Sequence, residues 1–137
     1  MSHVLEYLVN PGGLLSDAGK VLRPGGVIMV ALPNVVAYTN RLRICLGRFD
    51  YQPSGIMDET HLHFYTFESG ARFLRNNGYE IVQAKAAGAF PLWRIRAFLP
   101  ARVVNSLNDI SCRLFPGVFG FQSVYIARPT ASLVGHD

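Results

Sequence analysis

Val21-Leu22-Arg23-Pro24-Gly25-Gly26-Val27-Ile28-Met29-Val30-Ala31-Leu32 is the stretch whose reading decides the fold. Pro24-Gly25-Gly26 ends whatever helix precedes it, because proline cannot continue a helix and glycine turns the chain cheaply. The next six residues are uninterrupted apolar side chains, the pattern of a strand covered on both faces, as in a parallel sheet. Upstream, Asn10 is a ready N-cap and Pro11 suits the first helical position. Leu14, Leu15, Ala18, Val21 and Leu22 then keep helical spacing, which predicts a helix over 11–22.

Working downstream, residues 35–47 suit a helix ending at Gly47. Residues 48–65 carry no clear period, and a connection of that length is uncommon unless it serves a purpose. Thr66 caps a further helix, with Glu68 in its first turn and Gly78 as its stop. Tyr79–Lys85 reads as a strand. Residues 90–115 read as two amphipathic helical pieces broken at Pro100, and Phe119–Ala127 as a last strand. The segment from Pro129 has little to fold with.

The chain is 137 residues, half of them hydrophobic and 16% charged, which suits one folded domain and argues against general disorder. No apolar run is long enough to cross a bilayer, and no basic leader precedes an apolar stretch, so a cytoplasmic protein is expected. Cys45 and Cys112, far apart and flanked by apolar residues, read as buried thiols. The net charge of +4 rests on eleven arginines against two lysines. They are interleaved with aliphatic residues, as in Arg41-Leu42-Arg43, and form no continuous basic stripe. Nucleic-acid binding is therefore not expected.

Several strings resemble one family in order and spacing. Val4-Leu5-Glu6-Tyr7-Leu8 resembles the Val-Leu-Glu-His-Leu that follows the fourth strand of class I S-adenosylmethionine-dependent methyltransferases. Arg23-Pro24-Gly25-Gly26 resembles the turn before their fifth strand, Leu32-Pro33-Asn34 that strand's end, and Asn77-Gly78-Tyr79 the start of the sixth. Gly47-Arg48-Phe49-Asp50-Tyr51 and Asp58-Glu59-Thr60-His61-Leu62-His63-Phe64 resemble the small bacterial branch described as type 11, 12 or 23. The resemblance implies that this is the C-terminal half of such a domain. The Gly-rich loop and the acidic strand end that cradle S-adenosylmethionine would lie upstream of residue 1. Gly12-Gly13, Gly25-Gly26 and Gly117-x-x-Gly120 do not replace that loop, since none follows a strand and opens a helix. The family's Glu-His pair is Glu6-Tyr7 here, so no role of that histidine transfers.

His61 and His63, with Asp58 and Glu59, are the densest polar constellation. On the carboxyl side of the fifth strand, where open α/β sheets bind ligands, a histidine could take a proton from the methyl acceptor, with Asp58 at the substrate. Solvent-facing or structural loop residues are the plainer alternative. Metal binding would need a third ligand that the sequence does not assure, so no metal site is assigned. Asn34 could orient substrate or simply form the turn after Pro33. The resemblance places Glu6 near the cofactor, with helix capping as the alternative.

The expected fold is α/β, an incomplete Rossmann-like methyltransferase domain over 1–128. It has a three-stranded mixed sheet with flanking helices, a helical insertion at about 86–118 and a flexible tail at 129–137. Its first strand would run parallel to its second, with the last antiparallel between them. An exposed edge on the strand at 27–32 would invite a homodimer, or pairing with a missing N-terminal half. The expected function is the substrate-side half of an S-adenosylmethionine-dependent methyltransferase acting on an unknown small molecule, inactive alone. A non-catalytic interaction or membrane-surface module using the amphipathic segment 90–104 is the alternative.

Overall fold

The computed structural model describes residues 1, 3–53, 55–89, 91 and 98–134. Asn10 accepts a hydrogen bond from the Gly13 amide at 3.0 Å, and helix α1 (Pro11–Val21) starts at the proline. The Pro-Gly-Gly turn closes with the Gly26 amide on the Arg23 carbonyl at 2.8 Å, and Gly25 sits at φ +77°, where a side chain would be strained. Strand β1 (Ile28–Pro33) follows, with Val30 and Leu32 fully buried. Helix α2 (Tyr38–Cys45) is shorter than expected, because Val35 is drawn into a bond with the Tyr65 carbonyl and Ala37 becomes the N-cap.

Helix α3 (Phe67–Asn76) begins with a reciprocal cap. Thr66 Oγ1 accepts from the Ser69 amide at 3.0 Å, and Ser69 Oγ accepts from the Thr66 amide at 2.8 Å. Strand β2 (Tyr79–Gly88) runs three residues beyond the expected Lys85, with a bulge between Ile81 and Gln83. After it come helix α4 (Ala101–Leu114), the single turn α5 (Pro116–Phe119) and strand β3 (Gly120–Pro129). Phe90 and residues 92–97, the first piece of the expected amphipathic insertion, lie outside the described residues.

The sheet order is β1-β3-β2, with β3 central and antiparallel to both neighbours. β1 and β2 therefore point the same way without touching, as expected. The sheet is nevertheless antiparallel rather than mixed, since each of its ladders pairs with the reversed β3. The parallel neighbour read from the apolar run is confined to the first residues. Ala31 donates to the Met1 carbonyl at 3.0 Å and accepts from the His3 amide at 3.3 Å, the staggered pattern of a parallel ladder. Met29, beside them, is 58% exposed.

Leu5, Leu15, Val30, Leu32, Leu74, Tyr79 and Tyr125 form one buried core beneath α1 and α3. Each such side chain contributes about 1.5–3 kcal/mol relative to exposure. Two buried phenols tie helices to it: Tyr79 donates to the Leu15 carbonyl at 2.7 Å and Tyr125 to the Phe67 carbonyl at 2.6 Å. Cys112 is buried against β2, but Cys45 is exposed, because α2 turns that face outward. The expected free tail instead begins docked. Thr130 donates from its amide and hydroxyl to the Gly78 carbonyl, and a turn of helix, α6 (Ala131–Val134), packs Leu133 against Gly19 and Gly78. Among the described residues no helix is long and apolar enough to cross a membrane.

Candidate functional site

The carboxyl end of β1 meets two segments that are distant in sequence. A 3₁₀ turn, Leu5–Tyr7, lies beside it, and its Glu6 carbonyl accepts the amides of Leu62 (2.8 Å) and His63 (3.1 Å). That pair of bonds folds the long loop back over the turn. The His61 ring is thereby buried edge-on against Tyr7, with ring centroids 4.8 Å apart. His61 Nδ1 lies 3.3 Å from the Ile56 carbonyl, which can only accept, so Nδ1 carries a hydrogen.

A cavity of about 360 Å³ opens here, lined by His3, Tyr7, Pro33, Gly55, Ile56, His61, Phe121 and Gln122. Of the residues singled out from sequence, His61 alone lines it. Glu6 stands behind His3. It is fully buried, its Oε1 lies 3.1 Å from His3 Nδ1, and its Oε2 has no hydrogen-bond partner among the described residues. A carboxylate so enclosed presents no oxygen at the surface of this chain. Its charge is felt by its neighbours. Burial and the Glu6 carboxylate push the Tyr65 phenol up to about 12. Tyr7 is raised by desolvation, then by Asp58 and Glu6.

The other predicted residues have structural partners. Asn34 is fully buried, and its amide nitrogen donates to the carbonyls of Gly120 (2.7 Å) and Gly117 (3.1 Å), while Oδ1 accepts from the Val36 amide. Both of its amide hydrogens are engaged, so Asn34 ties the end of β1 to the start of β3. Asp58 Oδ1 accepts from the amide and hydroxyl of Thr60 at 2.8 and 2.6 Å, which holds its carboxyl below the usual range. His63 is half-buried against Tyr65, away from the cavity lining. Among the described residues no cluster of His, Cys, Asp or Glu could hold a metal ion. A larger cavity of about 590 Å³, between β2 and α4, is lined by Lys85, Asp109, Cys112 and Arg113 and contains none of the predicted residues.

His3 and Gln122 carried no signal in the sequence. His3 precedes the recognisable string, and Gln122 sits in the middle of a strand. The pairing of β1 with β3 brings Gln122 to Pro33, within 2.8 Å of His3.

The elements from the 3₁₀ turn through α3 and into β2 coincide with a match to a family model described as a methyltransferase domain, over residues 1–84. The chain belongs to that methyltransferase family, which generally uses S-adenosylmethionine as methyl donor. No curated protein matches it. The residues present do not fit that cofactor. β1 runs into Pro33-Asn34 and β2 ends at Gly88-Ala89, so neither is followed by a glycine loop opening a helix or ends on an acidic side chain. The buried Glu6 is already paired with His3.

Proposed function

We propose that this chain is the acceptor-facing half of an S-adenosylmethionine-dependent methyltransferase domain and transfers little or no methyl group by itself. The observation that carries the reading is the outer edge of β1. Met1 and His3 bond to it in a parallel register, and the pocket at its carboxyl end is built of histidine and aromatic side chains, with no acidic side chain and no lysine or arginine among its described lining to meet the donor's amino-acid end. The part that binds the donor would be supplied alongside that edge, by further chain or by a partner. A second copy pairing there would give the homodimer. Within the pocket, His61, its Nδ1 held by the Ile56 carbonyl, would accept a proton at Nε2 in its neutral form, and Asp58, whose carbonyl accepts the His61 amide, sets the loop that carries it.

The test is a gain of function. Joined in frame to the strand–glycine-loop–strand segment of a related methyltransferase domain, the chain should bind S-adenosylhomocysteine, and neither the segment nor the chain should do so separately. A joined protein that folds cooperatively yet binds none would refute the reading.

The segment 90–104, on which a membrane-surface or interaction module is expected, lies in large part outside the described residues, and one observation running on from its end favours that second reading. α4 buries Val104 and Cys112 but exposes Val103, Ile110 and Leu114 along an adjacent stripe. Sedimentation with anionic vesicles that Ile110→Asp abolishes would support that reading; no sedimentation would dismiss it.

A further inference from the structure

The 360 Å³ cavity contains two imidazoles contributed by segments far apart in sequence, and each has its Nδ1 anchored to an oxygen. For His61 the anchor is the Ile56 carbonyl; for His3 it is Oε1 of the buried Glu6. Because a carboxylate oxygen accepts, His3 carries its hydrogen on Nδ1 and keeps a lone pair on Nε2. Gln122 Nε2, 2.8 Å away, donates to that lone pair. His3 is held at φ +52°, a left-handed conformation that a non-glycine residue adopts at a cost of about 1–3 kcal/mol. Its amide bond to Ala31 and its ring bond to Glu6 together fix that geometry.

The remaining lining sets what such lone pairs can receive. Tyr7, Phe121, Ile56 and Pro33 present flat or apolar surfaces, and no lysine or arginine lines the cavity among the described residues. Glu6, with one oxygen unpartnered, stands directly behind His3. A buried anion therefore disfavours a second one, and no cation is at hand to offset it. The volume is at the small end for ligand pockets, room for a single-ring compound.

We infer that this cavity binds an uncharged ring compound bearing a hydroxyl or amine hydrogen, which it donates to Nε2 of His3 in place of Gln122, with Glu6 as the positioning residue. The inference deepens the proposed function by naming the chemical class of the acceptor, and rests on it only for the word acceptor, since the binding requires no methyl donor.

The test uses the 137-residue chain labelled with ¹⁵N-histidine, in which long-range proton–nitrogen spectra resolve its four imidazoles. Single His→Gln variants assign them. Phenol and benzoate serve as ring probes that differ in charge. The expected results are an Nδ1-protonated tautomer for His3, saturable shifts of its Nε2 signal with phenol, and binding of benzoate at least about tenfold weaker. Glu6→Gln, which keeps the oxygen acceptor and removes the charge, should narrow that ratio; a merely structural Glu6 would leave it unmoved. An Nε2-protonated His3, equal response to both probes, or a ratio unchanged in Glu6→Gln would overturn the inference. Tautomer and probe selectivity are read on the wild-type chain, so a poorly folded variant does not remove the test. Binding of S-adenosylhomocysteine by the chain alone would overturn the half-domain reading while leaving these signals as they are.

Discussion

Asn34→Ala should lower the stability of the fold by about 3 kcal/mol without any ligand present. The side chain is wholly buried and makes three hydrogen bonds, two from its amide nitrogen to Gly117 and Gly120 and one from the Val36 amide. A typical net contribution is about 1 kcal/mol per bond, and a buried partner left unsatisfied costs about 1–3 kcal/mol more than a solvated one. The Gly120 carbonyl is the partner with nowhere to turn, because Gly120, the first residue of β3, is buried where it pairs with Gly88 of β2. With a urea slope of about 2 kcal/mol/M, the denaturation midpoint should fall by about 1.5 M at unchanged slope. Asn34→Asp should cost more still at neutral pH, since a carboxylate oxygen would replace the donating nitrogen against two carbonyls. A loss below about 1 kcal/mol in Asn34→Ala, or an Asp variant as stable as the wild type, would refute the claim that this amide joins β1 to β3.

Other expectations follow from single contacts. Tyr79→Phe keeps the ring but removes the bond to the Leu15 carbonyl, and should cost about 1–2 kcal/mol in thermal or urea unfolding. Gly78→Ala should be worse than Gly25→Ala, although both sit near φ +80° (φ +80° and +77°), because only at Gly78 would a Cβ strike Leu133. The strain alone is about 1–2 kcal/mol, and Leu133→Ala in the same chain should recover the excess if the segment after β3 is docked. For Tyr65, raised to about 12 from 10.0, the unfolded chain loses its phenolic proton first. Unfolding then releases a proton between pH 10 and 12, so this contribution is complete below pH 10 and fades through that window. Ultraviolet titration should show one late-ionising tyrosine fewer in Tyr65→Phe than in the wild type, Tyr7, Tyr79 and Tyr125 being raised as well; an unchanged late step would contradict the burial of Tyr65.

What the sequence revealed and what it hid divide along local against distant contacts. Asn10 and Thr66 as caps and Gly25 as a turn residue were legible, because each acts within four residues of its own position. Glu68 stands in the first turn as expected, and Ser69, to which the sequence drew no attention, completes the cap. The run Val27–Leu32 announced a strand but not its neighbours. An apolar run reports burial, and burial is supplied here by α1, α3 and an antiparallel β3 drawn from the far end of the chain. β2 extends to Gly88 for the same reason, since β3 is long enough to pair with it.

The candidate site was half legible. His61 stood out because polar residues clustered around it, and the loop does bring it to the cavity. Asp58 stood out for the same reason and Asn34 because it ends a strand; they are held by Thr60 and by the backbone. Glu6 was singled out, but its local partner His3, three residues away, was not, and Gln122 reaches His3 only when β1 pairs with β3. No pattern of types or spacing in the sequence announces such a contact.

The central claim is that these residues hold the acceptor side of a methyltransferase domain and not its donor. Isothermal titration of the purified chain with S-adenosylhomocysteine tests it most directly. The account predicts no saturable binding below about 1 mM, equivalent to a free energy no better than about −4 kcal/mol. Saturable binding in the micromolar range would contradict it, and would mean that the cofactor is held by residues to which the fold assigns no such role.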